Sequence, residues 1–189
     1  MYEASASAKA LRSIQQPILP VEFPDRRVLG IVRPTAEEIG GYSQTGHIGI
    51  FGTAGTVSSG SYPIEIKHFF PDLVVTQHAC PMWVPLVEYG ESGSEGARYF
   101  VKKEVDSLLA EDPEIDTILL ACTHYPLLEK EIRAALPNHV RLVFQGDIVV
   151  QKTVDYLRRH PEMEVRLSKG ESLGKTHYLT SDTAEFFKK

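Results

Sequence analysis

The sequence is poor in the residues that mark several large classes of protein. It contains only two cysteines, Cys80 and Cys122, which lie far apart among 189 residues. A disulfide-stabilised secreted scaffold would need more cysteines, and the placement of these two does not suggest a zinc site. We therefore expect reduced thiols, a cytoplasmic location and no metal ion.

Long hydrophobic runs and an excess of basic residues are also missing. No stretch of about 18 apolar residues occurs, as a membrane-spanning helix would need. The first residues, Met1–Ser5, lack the basic and apolar regions of a secretory signal. The net charge is −5 and Lys and Arg form no basic stripe, so we expect neither a nucleic-acid nor a membrane partner.

Short apolar runs rich in β-branched residues alternate with longer amphipathic stretches. Their near-continuous hydrophobicity predicts strands buried on both faces of a parallel sheet. The predicted strands are Val28–Val32, His47–Gly52, Leu73–Thr76, Asp116–Ala121, Val140–Phe144 and His177–Thr180. The predicted helices are Ala4–Gln16, Gly55–Phe70, Ser94–Glu111, Pro126–Leu136, Gly146–His160 and Thr183–Lys188. This alternation predicts an α/β, doubly wound fold, with linkers or loops at Pro17–Arg27 and Pro161–Lys175.

The segment whose residues most strongly suggest a reactive site is Leu119–Pro126, in which a cysteine follows a predicted apolar strand. A thiol at such a strand end opens onto the ligand crevice of an α/β sheet. A helix that begins near Pro126 would favour the thiolate of Cys122 and, with Thr123, could hold a carboxylate. His124 could exchange a proton with the thiol or with a substrate ammonium group. The spacing alone leaves open that Cys122 is a small packing residue.

Several ordered motifs resemble those of glutamate racemases. Ala121–Pro126 reads Ala-Cys-Thr-His-Tyr-Pro and is similar to the second cysteine motif of that family. Gly49–Ser59 resembles its strand and Thr-rich turn, and Ala79–Glu88 resembles its Ala-Cys-Pro…Val-Pro-Leu-Val-Glu segment. Ala6–Leu11 resembles the helix after the first cysteine motif, so the likeness covers nearly the whole chain.

The resemblance implies an enzyme that interconverts L- and D-glutamate without pyridoxal phosphate or metal and supplies D-glutamate for peptidoglycan. One thiolate removes the α-proton, and a thiol on the opposite face returns a proton. Such a site needs fixed thiols and donors that stabilise carbanionic charge. By resemblance, Cys122 is the second acid/base, Thr123 and His124 contact the substrate, and Glu88 lies near the cysteine with that histidine.

Other candidate residues have structural alternatives. Thr53 and Thr56 could donate hydroxyls to the substrate, or they could form a turn and helix cap after a strand. Without the resemblance, Glu88 would be interpreted as a solvated helix end. Cys80 is expected to pack in the core rather than to transfer protons. We interpret the remaining histidines as surface or structural residues, and Trp83 as a core or interface residue.

The sequence differs from the family pattern at its N-terminus. Glu3 falls where the first cysteine is expected, Ala4 where an Asn is expected and Ser5 where a Thr is expected. Ser5 is therefore a candidate substrate contact. The family's Asp-Ser and Pro-Tyr-Gly segments have no counterpart. We expect a chain truncated at its N-terminus, without the first cysteine, that does not racemise glutamate at the rate of a complete enzyme.

The resemblance also implies two α/β units that share the active site. We assign residues 1–27 to a remnant of the first unit, 28–144 to the second unit with the second catalytic cysteine, and 145–189 to a return to the first. Uncovered apolar faces predict a homodimer or larger assembly, or disorder at both ends. Two alternatives stay open: an aspartate or related amino-acid racemase, and a non-catalytic domain that binds a carboxylate or a protein partner.

Overall fold

A four-stranded parallel sheet forms the centre of the fold. The computed structural model describes residues 10–11 and 13–167, and the chain divides into two compact units, residues 1–152 and 153–189. All four strands belong to the first unit. They are β1 (His47–Gly52), β2 (Val74–Ala79), β3 (Thr117–Leu120) and β4 (Arg141–Phe144).

The strand order is β2-β1-β3-β4, and every neighbouring pair is parallel. In the register, Gly52 of β1 pairs with Ala79 of β2, and Leu120 of β3 pairs with both Phe51 and Phe144. Parallel neighbours require helical crossovers, so the predicted α/β fold is confirmed. The predicted strand His177–Thr180 and helix Thr183–Lys188 lie outside the described residues.

The described residues also form α-helices. They are α1 (Leu19–Glu22), α2 (Val32–Ile39), α3 (Ala54–Ser59), α4 (Ser61–Phe69), α5 (Trp83–Glu88), α6 (Glu95–Glu111), α7 (Glu129–Ala135), α8 (Gln145–Arg159) and α9 (Pro161–Glu164). Short π-helical and 3₁₀ turns occupy Ile14–Ile18, Gly40–Tyr42 and Tyr125–Leu128.

Helix α6 shows how the local sequence determines an element. The Ser94 hydroxyl accepts a hydrogen bond from the Ala97 backbone N–H at 3.0 Å and so caps the first turn. An apolar stripe at helical spacing then faces the sheet and is buried: Ala97, Val101, Val105 and Leu108. The helix predicted at Ser94–Glu111 is therefore confirmed to within one residue.

Two hydrophobic cores lie on opposite faces of the sheet. Alternate strand residues serve each face because side chains in a strand point to opposite sides. The first core joins strand residues to α6 and α7 and includes Phe51, Ile118, Leu120, Leu142, Val101, Leu108 and Ile132. The second joins them to α2, α4 and α8 and includes Ile48, Ile50, Leu119, Val143, Ile39, Ile66 and Ile148.

A carboxylate clamp holds the loop that leads into β1. Asp116, directly before β3, accepts hydrogen bonds from the Ser43 hydroxyl at 2.6 Å and from the backbone N–H groups of Gln44 and Thr45 at 2.6 and 2.9 Å. Burial acts to raise the pKa of Asp116, but these hydrogen bonds together lower that pKa to about 2. The clamp fixes the starts of β1 and β3 relative to each other.

Three predictions about secondary structure in the first unit were wrong. Val28–Val32 is not a strand: residues 28–31 are non-helical and Val32 begins α2. Val28 and Leu29 are exposed, and a β-branched run becomes a strand only where a sheet edge pairs with it. The predicted linker Pro17–Arg27 contains π-helical and α-helical turns. The helix predicted at Gly55–Phe70 is two helices, because Gly60 has φ of +63° between α3 and α4.

The part of the second unit that the structure describes is helical, with the end of α8 followed by α9. The loop predicted at Pro161–Lys175 therefore begins with a helical turn. Two local, exposed ion pairs lie in or next to this part, between Arg158 and Asp155 and between His160 and Glu162. Across the described residues of both units, no helix combines the length and apolar character needed to cross a membrane.

Candidate active site

The candidate site lies at the carboxyl edge of the sheet, between β1 and β3. From β1 the chain passes to β2 on one side, and β3 then pairs with the other side of β1. Strand order therefore reverses between β1 and β3, and in open α/β sheets the crevice at such a switch point binds ligands. Thr53 follows β1 and Cys122 follows β3 at this edge.

Cys122 is held at its position by the end of the strand. The Ala121 N–H donates to the Phe51 carbonyl at 2.9 Å, which extends the pairing of β3 with β1 to the residue before the cysteine. The Tyr125 N–H then donates to the Cys122 carbonyl at 3.3 Å and closes a turn. The α-helix predicted at Pro126 begins only at Glu129, after a four-residue 3₁₀ turn. The helix-dipole contribution expected at the thiol is correspondingly small.

A row of three side chains runs outward from the thiol. The Cys122 Sγ lies 3.8 Å from Nδ1 of His124, and Nε2 of the same imidazole makes a short contact with Oε1 of Glu88. Because an ionised carboxylate only accepts hydrogen bonds, Nε2 carries the proton when the imidazole is neutral. Nδ1 is then the acceptor that faces the thiol, which is the arrangement needed to take its proton.

Exposure increases along this row. Cys122 is buried, His124 is partly buried, and the Glu88 side chain is 54% exposed. Glu88 ends α5, and Thr123 next to the cysteine is exposed to solvent. A proton that leaves the thiol can therefore pass by way of the imidazole toward water, while the sulfur itself stays largely shielded.

Aromatic side chains support the turn from behind. The Tyr125 ring packs against Trp83 with centroids 4.9 Å apart, and Trp83 packs against Phe51 at 4.8 Å. The Tyr125 hydroxyl donates to the Cys80 carbonyl at 3.2 Å, and burial raises the pKa of this hydroxyl so that it remains a donor. The Cys122 turn is thus fixed to the segment after β2. Trp83 is a core residue, one of the two roles expected for it.

Cys80 lies in the first hydrophobic core and is 1% exposed, as the sequence predicted for it. Burial, followed by the nearby charges of Glu104 and Cys122, raises the pKa of the Cys80 thiol. A thiol in these surroundings stays protonated and is shielded from a substrate. Cys122, in contrast, faces an imidazole that can exchange a proton with it.

The two threonines after β1 act as a helix cap in this structure. The Thr53 hydroxyl accepts from the Thr56 N–H at 3.2 Å and lies 3.1 Å from the Thr56 hydroxyl. Thr56 is fully buried, whereas Thr53 is partly exposed at the sheet edge. The capping alternative is therefore observed, and a substrate contact stays a prediction for both. Ser5, the remaining candidate contact, lies outside the described residues.

A cavity of about 170 Å³ adjoins the thiol. Its described walls combine apolar side chains with Cys122, Thr123 and the amide of Gln145: they are Ile31, Leu120, Cys122, Thr123, Pro126, Gln145, Gly146 and Val149. The sequence motifs did not identify Gln145. The same logic that identified Cys122 would have found it, since Gln145 is the polar residue directly after β4.

The part of the chain that the structure describes contains no set of side chains suited to binding a metal ion. No group of three or more His, Cys, Asp or Glu side chains is arranged there to hold an ion. The polar groups at the sheet edge are instead suited to proton transfer, with a thiol, an imidazole and a carboxylate in series. Beside them, the cavity offers space for a small molecule next to the sulfur.

Comparison with known proteins shows which family the chain resembles. The family model described as Asp/Glu/Hydantoin racemase matches residues 25–153. A glutamate racemase of Geobacter metallireducens is 31% identical over 183 residues, covering 97% of this chain and 63% of the relative. The chain thus spans less than two thirds of the length of this relative.

Solved structures show the same likeness. A glutamate racemase isoform of Bacillus anthracis superposes with a TM-score of 0.74 at 29% identity, covering 82% of this chain and 56% of that one. The Escherichia coli glutamate racemase, solved with L-glutamate and an activator, superposes with a TM-score of 0.60 at 26% identity, covering 82% and 63%.

Proposed function

The chain belongs to the Asp/Glu/hydantoin racemase family, and we propose that its substrates are L- and D-glutamate. The similar proteins named above are glutamate racemases, and one of them was solved with L-glutamate. The single observation that carries the proposal is the row formed by Cys122, His124 and Glu88 beside a small cavity at the carboxyl ends of β3 and β4.

In the proposed reaction, the Cys122 thiolate removes the α-proton of glutamate. The electron pair of the broken C–H bond stays on the α-carbon as a carbanion, and the proton forms an S–H bond. His124 takes the thiol proton through Nδ1 before each cycle, and Glu88 accepts from Nε2 and so holds the imidazole in the required tautomer. Neither step uses a cofactor.

Racemisation by two bases also requires a donor on the opposite face of the carbanion. The 189 residues contain one other cysteine, Cys80, and its burial makes it unsuitable. Glu3, which aligns with the family's first cysteine, is a weaker base, with an ordinary pKa of about 4.3 against about 8.5 for a thiol. We therefore expect this chain by itself to exchange the α-proton on one face and not to invert glutamate at an enzyme's rate.

The test is incubation of each glutamate enantiomer with the chain in deuterated buffer, followed by chiral chromatography and mass analysis. We expect slow deuterium uptake at the α-carbon with retained configuration. Cys122→Ser should abolish the uptake. Cys80→Ser, a matched loss of one thiol outside the site, should leave it in place.

Each of the other outcomes would favour a different function for the chain. Absence of any exchange would favour the non-catalytic alternative, a domain that only binds a carboxylate or a protein. Inversion at enzyme-like rates that depends on Cys122 would show that a second base is present, in this chain or in a partner copy. Faster exchange of aspartate than of glutamate would move the substrate assignment to the related racemases.

The wider role follows from the same assignment. We propose that the product serves peptidoglycan synthesis in the cytoplasm, and that residues 28–144 form the unit with the second cysteine while 1–27 and 145–189 belong to the other. We also propose a homodimer, because apolar side chains near the start of the described chain, Val21, Phe23 and Leu29, are exposed. A monomer in light scattering would contradict the dimer.

A further inference from the structure

Gln145 forms a polar wall of the cavity beside Cys122. It is the first residue of α8, directly after β4, so the fold places it at the same sheet edge as the cysteine. Its side chain belongs to a residue that is only 9% exposed. A buried amide at this position is costly unless its hydrogen bonds are made, which raises the question of what it holds.

The amide nitrogen of Gln145 meets three acceptors. It lies 3.0 Å from the Thr35 hydroxyl oxygen and 3.4 Å from the Ile31 carbonyl, and it makes a short contact with the Tyr62 hydroxyl. The Thr35 hydroxyl itself donates to the Ile31 carbonyl at 2.8 Å. Because the amide nitrogen carries only two hydrogens, this network saturates it. The Gln145 side chain is therefore fixed in one orientation.

The network joins three separate helices through the Gln145 amide. Thr35 lies in α2, Tyr62 lies in α4, and Gln145 begins α8. Ile31 has two functions here, because its carbonyl accepts from Gln145 and its side chain lines the cavity. Burial raises the pKa of Tyr62, against the opposing effect of the Gln145 hydrogen bond, and the charge of Cys122 raises it further. The Tyr62 hydroxyl is thus neutral.

The cavity beside the sulfur is small. At about 170 Å³ the cavity is similar in size to an engineered cavity of about 150 Å³ that holds one benzene molecule. Apart from Cys122, Thr123 and Gln145, the described walls are apolar. This lining suits a short aliphatic chain with its polar group at the thiol.

We propose that Gln145 is a positioning residue that sets the size of molecule able to reach Cys122. Its amide holds the Ile31 wall and the Tyr62 hydroxyl in place, so that one small molecule enters and bulkier ones are excluded. The inference rests on the proposed role of Cys122 as the reacting thiol. It concerns access to that thiol and does not depend on racemisation.

The experiment compares two alkylating reagents that share one reactive group. The full chain is treated with 2-chloroacetamide and with N-benzyl-2-chloroacetamide, and mass spectrometry follows labelling of Cys122 and Cys80 over time. The measured quantity is the ratio of the Cys122 rates for the large and small reagents. In Gln145→Ala this ratio should rise by roughly fivefold to tenfold, the order expected when one or two buried hydrogen bonds are lost.

Gln145→Met separates hydrogen bonding from volume, because methionine has a similar length without the amide. We expect it to raise the ratio as Gln145→Ala does. Gln77→Ala removes another glutamine from an edge strand away from the cavity, and it should change the ratio by less than about twofold, since it breaks none of the network's hydrogen bonds. Cys80 serves as an internal control, and its labelling should stay slow in every variant.

Two results would overturn the proposal. The first is a ratio in Gln145→Met that equals the wild-type ratio, which would assign the selectivity to volume alone. The second is faster labelling of Cys80 in parallel with Cys122, which would indicate general loosening of the fold. If the Gln145 variants do not fold, Thr35→Val and Tyr62→Phe each remove one partner of the same amide. An unchanged ratio in both would then reject the network.

Discussion

The clamp around Asp116 predicts how the free energy of unfolding depends on pH. The folded-state pKa of about 2 lies below the ordinary value of about 3.9 for an aspartate. A lowered pKa stabilises the folded state wherever the carboxylate is ionised in the unfolded chain. The contribution is therefore complete above about pH 4 and is lost as the pH falls from about 4 through about 2.

The magnitude follows from the difference between the two pKa values. At about 1.4 kcal/mol for each tenfold change, the full difference would give about 2.6 kcal/mol. Asp116 is only partly buried, and solvent screening reduces the value, so we expect about 1–2 kcal/mol. Asp116→Asn should lower the free energy of unfolding by this amount at pH 7, because the amide cannot accept all three hydrogen bonds with the strength of a carboxylate.

Urea denaturation at pH 7, 5, 3 and 2 measures the effect. The difference between wild type and Asp116→Asn should be constant from pH 7 to 5 and should shrink toward zero at pH 2. Asp106→Asn is the matched control, because Asp106 forms only an exposed ion pair with Lys102, and it should change the free energy of unfolding by less than about 0.5 kcal/mol. If the difference between wild type and Asp116→Asn persisted unchanged at pH 2, the reasoning would be refuted.

Three further predictions concern the site and the sheet. Timed alkylation should label Cys122 before Cys80, because Cys122 adjoins a cavity and an imidazole whereas Cys80 is buried in the core. Faster labelling of Cys80 would overturn the assignment. Glu88→Gln should lower the Cys122 alkylation rate at pH 7 by no more than about fivefold, since a pair with a partner this exposed contributes at most about 1 kcal/mol; Glu91→Gln nearby should have no effect. Gly49→Ala should destabilise the fold by about 1–3 kcal/mol in urea denaturation, because the added Cβ would lie 2.8 Å from Leu108 Cδ2 and 3.1 Å from Ile118 Cγ1; wild-type stability would show that α6 can move away.

Helices and strands could be predicted from the sequence where nearby residues alone specify them, through a cap or a regular apolar pattern. His47–Gly52 was predicted with its observed bounds, and the Ser94 cap with its apolar stripe gave α6. Val28–Val32 failed because pairing is not a local property: its composition favours a strand, but no strand of the described sheet pairs with it. Helix α5 was not predicted, since its six residues include Pro85 and are too short for a periodic pattern.

The residues of the candidate site also differ in how far the local sequence identifies them. The position of Cys122 at the end of an apolar strand made it a candidate, and the resemblance to a family favoured a reactive thiol over a packing residue. The contact of Glu88 with His124 spans 36 residues of sequence, and only the resemblance to a family indicated it. Gln145 belongs to none of the motifs that the sequence analysis identified. Its importance depends on Thr35 and Tyr62, which are distant in sequence and meet the amide only after the second core has formed.

The order of the strands has a consequence for how the chain folds during synthesis. β1 leaves the ribosome first and can pair with β2 soon afterwards, but its other edge waits for β3, which begins only at Thr117. At ordinary translation speeds this interval lasts on the order of seconds. For that time the apolar residues Ile48 and Ile50 and an unpaired row of backbone groups are accessible to other chains. A nascent-chain release experiment with stops before and after β3 should therefore show chaperone binding that ends when β3 becomes available.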